Sequence, residues 1–188
     1  SSPFWHGDDT GLKSYRLTIF DNLPRTGLPA EFKSYAEYQR HIQILINAGV
    51  MEDSTKIWWD LRPSARYPTL ETRIMDVCTR MDDAISLAAL LVSTIRMLYR
   101  LRIKNQRWRE YNPMLIRENR WRAMRYSFDE GLIDFGIGSV VPFEQLLDEF
   151  IELTLEDAKS LGCELEVAAS KDILKRGTSA HRELKSYD

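Results

Sequence analysis

The chain has 188 residues, of which 44% are hydrophobic and 29% charged, a balance typical of a soluble globular protein with one sizeable core. Its net charge of −2 argues against the strongly basic surface of nucleic-acid-binding proteins, and no uncharged apolar run reaches the roughly 18 residues of a membrane span. Cys78 and Cys163 are far apart and form no CxxC motif, which favours a reducing, cytoplasmic setting over thiolate metal sites or disulfides.

The first 30 residues are predicted to hold a turn-rich segment, one strand and a loop. Residues 1–13 are rich in glycine and aspartate, so His6 fits a solvated turn better than a metal site. Residues 14–21 alternate in the way typical of a strand. On that strand, Arg16 would be either an anion ligand or the partner of a structural ion pair. Residues 22–30 contain two prolines and a glycine and are predicted as a loop.

Most of the remaining chain carries apolar residues at helical spacing. The segments predicted as helices are 31–48, 80–107, 112–127, 142–161 and 163–174. The second of these is apolar on nearly all sides in its middle, which predicts a buried core helix. Residues 128–141 are punctuated by glycine and are predicted as a loop, and residues 181–188 as a short polar end.

The third predicted helix, 112–127, is strongly basic. Asn112 is its expected N-cap and Pro113 its first helical residue. Arginine without lysine suits the bidentate binding of phosphate or carboxylate, and the helix contains four: Arg117, Arg120, Arg122 and Arg125. A plain interaction surface is an equally open interpretation. RNA binding is a third, which the near-neutral net charge disfavours.

The densest group of charged residues lies in the stretch 57–76, where strands are predicted over 54–61 and 67–76. Alternation along the second strand places Glu71 and Arg73 on one face, within about 7 Å of each other. Three more charged residues are close in sequence: Asp60, Arg62 and Arg66. Two interpretations remain open. One is a buried ion pair that pins the strands together, and the other is an anion- and metal-binding site on the polar face of a sheet.

Five motifs along the chain point to a known family. They are SPFWHGDDTG with SYR, RTGLP, IWWDLRPSARYPTLETR, ENRWRAMRY and RGTSAHRE. In this order they resemble the carboxylate-amine ligases of the glutamate–cysteine ligase type 2 family, over essentially the whole chain. The resemblance implies an α+β, glutamine-synthetase-like fold, in which the polar face of a curved antiparallel sheet holds ATP and a divalent metal and helices pack behind it.

The same resemblance implies that residues 1–188 are the C-terminal part of a single catalytic domain. The N-terminal half, which supplies further metal and nucleotide ligands in the family, would then be a partner outside these residues. The helix-rich part alone would be inactive. A non-catalytic fragment or scaffold that requires an N-terminal partner is the alternative, and a homo-oligomer is possible in either case.

In such ligases ATP phosphorylates the glutamate γ-carboxylate, and an amine then attacks the acyl phosphate to give an amide. Mg²⁺ or Mn²⁺ is needed at the phosphates, and fixed cations at the transferred group. By matching position, the resemblance makes Glu71 a metal ligand, Arg73 the residue that holds the phosphoryl group or substrate carboxylate, and Arg16 a ligand of the substrate acid. Weaker candidates for contact with ATP or substrate are Arg62, Arg66, Trp5, Arg120 and Arg122.

Overall fold

The computed structural model describes residues 2–187, which divide into two compact units. Unit 1 comprises residues 2–15 and 77–187, and unit 2 comprises residues 16–76. The described residues contain eight α-helices and four separate two-stranded ladders. The fold class is therefore α+β, as predicted.

Unit 1 contains two antiparallel hairpins that the sequence did not suggest. The first pairs β1 (Phe4–Trp5) with β2 (Asp8–Asp9) through a tight turn. The second pairs β7 (Leu132–Asp134) with β8 (Ser139–Val141), so the loop predicted over 128–141 is wrong. Strands this short contain too few residues for alternation to be recognised. Gly131 precedes β7 with a φ of +66°, where a Cβ would collide with the Val141 carbonyl.

Six helices make up the rest of unit 1. They are α3 (Met81–Ile103), α4 (Pro113–Tyr126), α5 (Phe143–Leu161), α6 (Glu164–Ala169), α7 (Lys171–Arg176) and α8 (Ser179–Tyr187). The predictions of α3, α4 and α5 are confirmed, including the Asn112 cap, whose side chain accepts the Met114 N–H. Residues 181–187 of the predicted polar end belong to α8, and residue 188 lies outside the described residues.

The core of unit 1 lies where α3 meets α5 and α6. Ala89, Ala158 and Val167 are buried there. The Asp157 carboxylate is buried beside them, and Arg100 donates to its Oδ2 at 2.8 Å. A buried carboxylate is tolerated only with such a partner, so this ion pair fixes how α3 and α5 cross.

The helix α3 is buried on one face only, whereas its apolar middle predicted a buried core helix. Its buried residues are Asp83, Ser86, Ala89, Ser93 and Met97. By length and composition alone, α3 could also cross a membrane, a test that core helices of soluble proteins pass as well. The absence of a membrane span stays a prediction.

Unit 2 is built from short elements around one apolar cluster. They are α1 (Tyr15–Asp21, whose first residue belongs to unit 1), β3 (Thr26–Gly27), α2 (Tyr35–Asn47), a 3₁₀ turn (Ser54–Lys56), β4 (Trp58–Trp59), β5 (Leu61–Pro63) and β6 (Leu70–Thr72). β3 pairs with β4 in parallel, and β5 with β6 antiparallel. The cluster consists of Tyr38, Ile42, Met51 and Ile57.

The helix predicted over 31–48 is confirmed as α2, and Ser34 caps it by accepting the Glu37 N–H. The strand predicted over 14–21 is wrong, because this segment forms α1. Strand propensity is a weak preference that tertiary contacts override. Here the side chain of Arg16 is held by backbone carbonyls of residues 73–75.

Candidate functional site

The β5–β6 hairpin of unit 2 carries the charged residues that the sequence singled out. Its register places Arg62 directly opposite Glu71. Of the two predicted strands, 67–76 contains β6, whereas 54–61 contains β4 and only the first residue of β5. Residues 54–56 form a 3₁₀ turn that Asp53 caps, and the second strand ends at Thr72.

The guanidinium of Arg62 donates four hydrogen bonds to atoms of unit 2. Its side chain is 4% exposed. Nε and one terminal nitrogen donate to Glu71 Oε2 at 3.0 and 2.7 Å. The other terminal nitrogen donates to the carbonyls of Ser54 and Ile57 at 2.8 and 2.7 Å. The interpretation as a structural ion pair that pins the two strands is therefore correct for Arg62 and Glu71. A direct contact of Arg62 with substrate stays a prediction.

Glu71 is held through one oxygen only. Its side chain is 38% exposed, and Oε2 receives Arg62 and lies 3.6 Å from a terminal nitrogen of Arg73. Among the described residues, no hydrogen bond or ion pair ends on Oε1. The hydrogen bond from Arg62, helped by the charges of Arg62 and Arg73, holds the pKa of Glu71 below its usual value. The result is an ionised carboxylate with one oxygen available for a cation.

Arg73 follows β6, and its N–H donates to the Asp60 carbonyl at 2.8 Å. Its side chain is exposed and lies beside Glu71. The prediction that Glu71 and Arg73 share a face is confirmed. Because its guanidinium is exposed, an anion can reach it.

Arg16 supports the backbone that follows this pair. Its Nε donates to Asp76 Oδ1 at 2.8 Å, and a terminal nitrogen donates to the carbonyls of residues 73, 74 and 75 at 3.2, 2.8 and 3.3 Å. Arg16 thus lies next to the backbone of Arg73, on α1 and not on a strand, and its contact with a substrate acid stays a prediction. Arg66 is exposed in the β5–β6 turn.

The other predicted site residues belong to unit 1. Trp5 packs on Tyr15, with ring centroids 5.1 Å apart. Arg122 donates to the carbonyls of Glu130 and Gly131 at 2.6 and 3.2 Å, which secures the chain entering β7. Arg120 is half-buried on α4. Substrate contacts of these three residues stay predictions.

The similarity of the chain to known sequences shows the family to which it belongs. The family model described as glutamate-cysteine ligase family 2 matches residues 1–188. The chain belongs to glutamate–cysteine ligase family 2. Its members include three proteins that carry the provisional name glutamate–cysteine ligase 2: one from Rhodospirillum rubrum, 61% identical over 187 residues, one from Jannaschia sp., 59% identical over 187 residues, and one from Sorangium cellulosum, 45% identical over 187 residues.

These relatives are longer than the chain. All three alignments cover 100% of this chain but only 48%, 49% and 50% of the respective relatives. The chain therefore spans about half the length of the family members that it matches.

A metal held by side chains alone would need more ligands than the described residues bring together. In residues 2–187, no group of three or more His, Cys, Asp or Glu side chains could hold a metal ion. Magnesium bound with a nucleotide needs less, because one or two carboxylates, phosphate oxygens and water complete its shell. The carboxylate of Glu71 has the chemistry for that smaller role, since the hydrogen bonds from Arg62 fall on Oε2.

The family motif RGTSAHRE has a structural role that sequence analysis missed. It ties α7 to α3 through Arg176–Asp83, and α8 to the rest of unit 1 through His181–Asp129, Arg182–Thr79 and Ser2–Glu183. Thr178 precedes α8, and its N–H donates to His181 Nδ1 at 3.1 Å. This is one half of a capping box, with histidine in place of glutamate, so the usual sequence signal for a helix start was absent.

The Arg62–Glu71 pair makes the stability of unit 2 sensitive to acid. A carboxyl whose pKa is depressed by folding stabilises the protein above its unfolded pKa, near 4.5 for Glu71, and this contribution is lost as pH falls through the folded pKa. We expect the stability difference between wild type and Glu71→Gln, measured by urea unfolding, to be largest near neutral pH and to shrink between about pH 5 and pH 3. An unchanged difference across that range would contradict the pairing.

Proposed function

We propose that the chain is part of an ATP-dependent carboxylate-amine ligase of the glutamate–cysteine type, which forms its amide through an acyl phosphate. The observation that carries the proposal is the side-by-side placement of Glu71 and Arg73 in a member of this family. Glu71 offers a free carboxylate oxygen, and Arg73 a guanidinium 3.6 Å from the other oxygen. A cation ligand beside an anion ligand suits phosphoryl transfer, where metal-bound phosphates and a fixed positive charge must meet.

In this proposal, each charged residue in or near the β5–β6 hairpin has one role. Glu71 holds Mg²⁺ or Mn²⁺ through Oε1, and the ion neutralises charge on the ATP phosphates. Arg73 holds the transferred phosphoryl group or the substrate carboxylate with its planar fork. Arg62 keeps Glu71 in place, since its four hydrogen bonds fix the guanidinium. Arg16 fixes the backbone that carries Arg73, and exposed Arg66 is free to approach an anion.

We infer further that these 188 residues do not turn over by themselves. In residues 2–187, no group of three or more His, Cys, Asp or Glu side chains could hold a metal ion, so Glu71 would need ligands from elsewhere, and the chain spans about half of the relatives' length. The remaining ligands would come from the other half of the ligase chain. A cytoplasmic location, where ATP and amino acids are abundant, accompanies the proposal.

The test is ADP release by the complete protein with ATP, Mg²⁺, glutamate and a panel of amines that includes cysteine. ADP is expected only when an acid and an amine are both present. Hydroxylamine in place of the amine should give a hydroxamate, because it attacks an acyl phosphate. Release of AMP would indicate an acyl adenylate instead, and ADP release that ignores the acid would contradict a ligase. The 188-residue chain alone, assayed in parallel, should be inactive.

A further inference from the structure

Helix α3 presents a continuous apolar stripe to solvent. Six positions spaced alternately four and three residues apart form this α3 stripe: Met81, Ile85, Ala88, Val92, Ile95 and Tyr99. This spacing keeps them on one side of the helix, as at the seam of a coiled coil. Ile95 is half-buried and Ala88 exposed, and the four largest exposed members, Met81, Ile85, Val92 and Tyr99, are between 46% and 74% exposed.

Only part of the apolar surface of α3 is used within unit 1. The helix buries Ala89 and Met97 and packs Leu90 against the core, while Met81, Ile85, Val92 and Tyr99 stay exposed. Folded monomers rarely expose a contiguous apolar patch of more than a few hundred Å² without a partner for it. The α3 stripe is therefore typical of a surface that packs against another segment or protein.

We propose that the other half of the ligase chain, which the curated relatives carry outside the matched residues, packs on the α3 stripe. Those relatives are about twice as long as the matched segment, so a covering segment of sufficient size exists in the family. Among the described residues, each of the two ladders in unit 1 consists of only two strands. Two-stranded ladders need additional strands or packing to be stable, and an additional half domain supplies both.

Charges on the neighbouring helix argue against lipid as the covering material. α5 packs against α3 and exposes Glu152 and Glu156 along its outer side. A bilayer deep enough to cover the whole of α3 would also have to accommodate these carboxylates, which is costly. A second copy of the chain would cover the stripe but would bring the same open ladders with it.

The inference rests on family membership and chain length, and its test needs no ligase activity. Val92→Cys, at the centre of the stripe, and Glu152→Cys, on the exposed side of α5, are prepared in the complete protein. The rate of maleimide labelling at each site is measured by peptide mass spectrometry and divided by the rate at the same site in urea. In a monomer verified by light scattering, without lipid, labelling at position 92 should be at least about tenfold slower than at position 152.

Each other outcome would overturn the proposal. Equal labelling at the two positions would show an uncovered stripe. Protection of position 92 that disappears on dilution would identify a second copy as the cover, and protection that requires phospholipid vesicles would identify a membrane. Tyr99→Cys, nearer the other end of the stripe, provides the same comparison if Val92→Cys does not fold.

Discussion

Glu71→Gln in the complete protein is expected to lower metal-dependent turnover by at least about 100-fold. Loss of a residue that merely supports a metal ligand already costs about 10–100-fold, and here the ligand itself would lose its charge. The neutral amide oxygen is a weaker partner for a divalent cation. The measurement is kcat/KM from ADP release over a range of Mg²⁺ concentrations, in which the variant should also need more metal.

The matched control is Glu52→Gln, in the same unit. Glu52 is exposed and pairs with Lys56 on the surface, at 3.3 Å, so its loss should leave turnover unchanged. The fold should survive Glu71→Gln, because the new amide oxygen can still accept from Arg62. Circular dichroism with thermal unfolding checks this directly. Wild-type turnover in a folded Glu71→Gln protein would remove Glu71 from the site.

Arg62→Ala is expected to destabilise unit 2 by about 2–4 kcal/mol, among the larger costs of a single substitution. The buried Ile57 carbonyl would lose the Arg62 donor, at a cost of about 1–3 kcal/mol, and the Ser54 carbonyl would keep the Ile57 N–H but lose Arg62. Glu71 is exposed enough to be solvated, so it contributes less to the loss. Urea unfolding, with the midpoint and slope compared to wild type, measures the change.

Arg66→Ala provides the comparison for Arg62, since Arg66 is exposed in the neighbouring turn. Its removal should change the free energy of unfolding by no more than about 0.5 kcal/mol. If Arg62→Ala were equally mild, the four hydrogen bonds of Arg62 would not pin the hairpin. A double-mutant cycle with Glu71→Gln then separates the ion pair from the carbonyl contacts.

The fold was predictable from sequence where local patterns were long. α2, α3, α4 and α5 each carry several turns of apolar residues at helical spacing, and Asn112 marks a helix start by a rule that needs no tertiary information. α1 and the β7–β8 hairpin are too short for this. Their structures depend on tertiary contacts, such as the hydrogen bond from Arg16 to the Ile74 carbonyl.

The site was predictable to the same degree. Alternation placed Glu71 beside Arg73, because strand geometry fixes the side on which neighbouring side chains project. The hydrogen bonds of Arg62 were not all predictable, since two of its acceptors are backbone carbonyls of the preceding turn. Any residue type can supply a carbonyl, so the sequence contains no mark of that contact.

The Arg16–Asp76 ion pair, at 2.8 Å, joins the first and last residues of unit 2. The polypeptide therefore enters and leaves this unit at nearly one point, in the manner of a module inserted into a host. An insert with adjacent ends adds little chain-closure entropy to the host's folding. Unit 2 as a whole, including the hairpin that carries Glu71, is thus the natural segment to exchange for that of a relative.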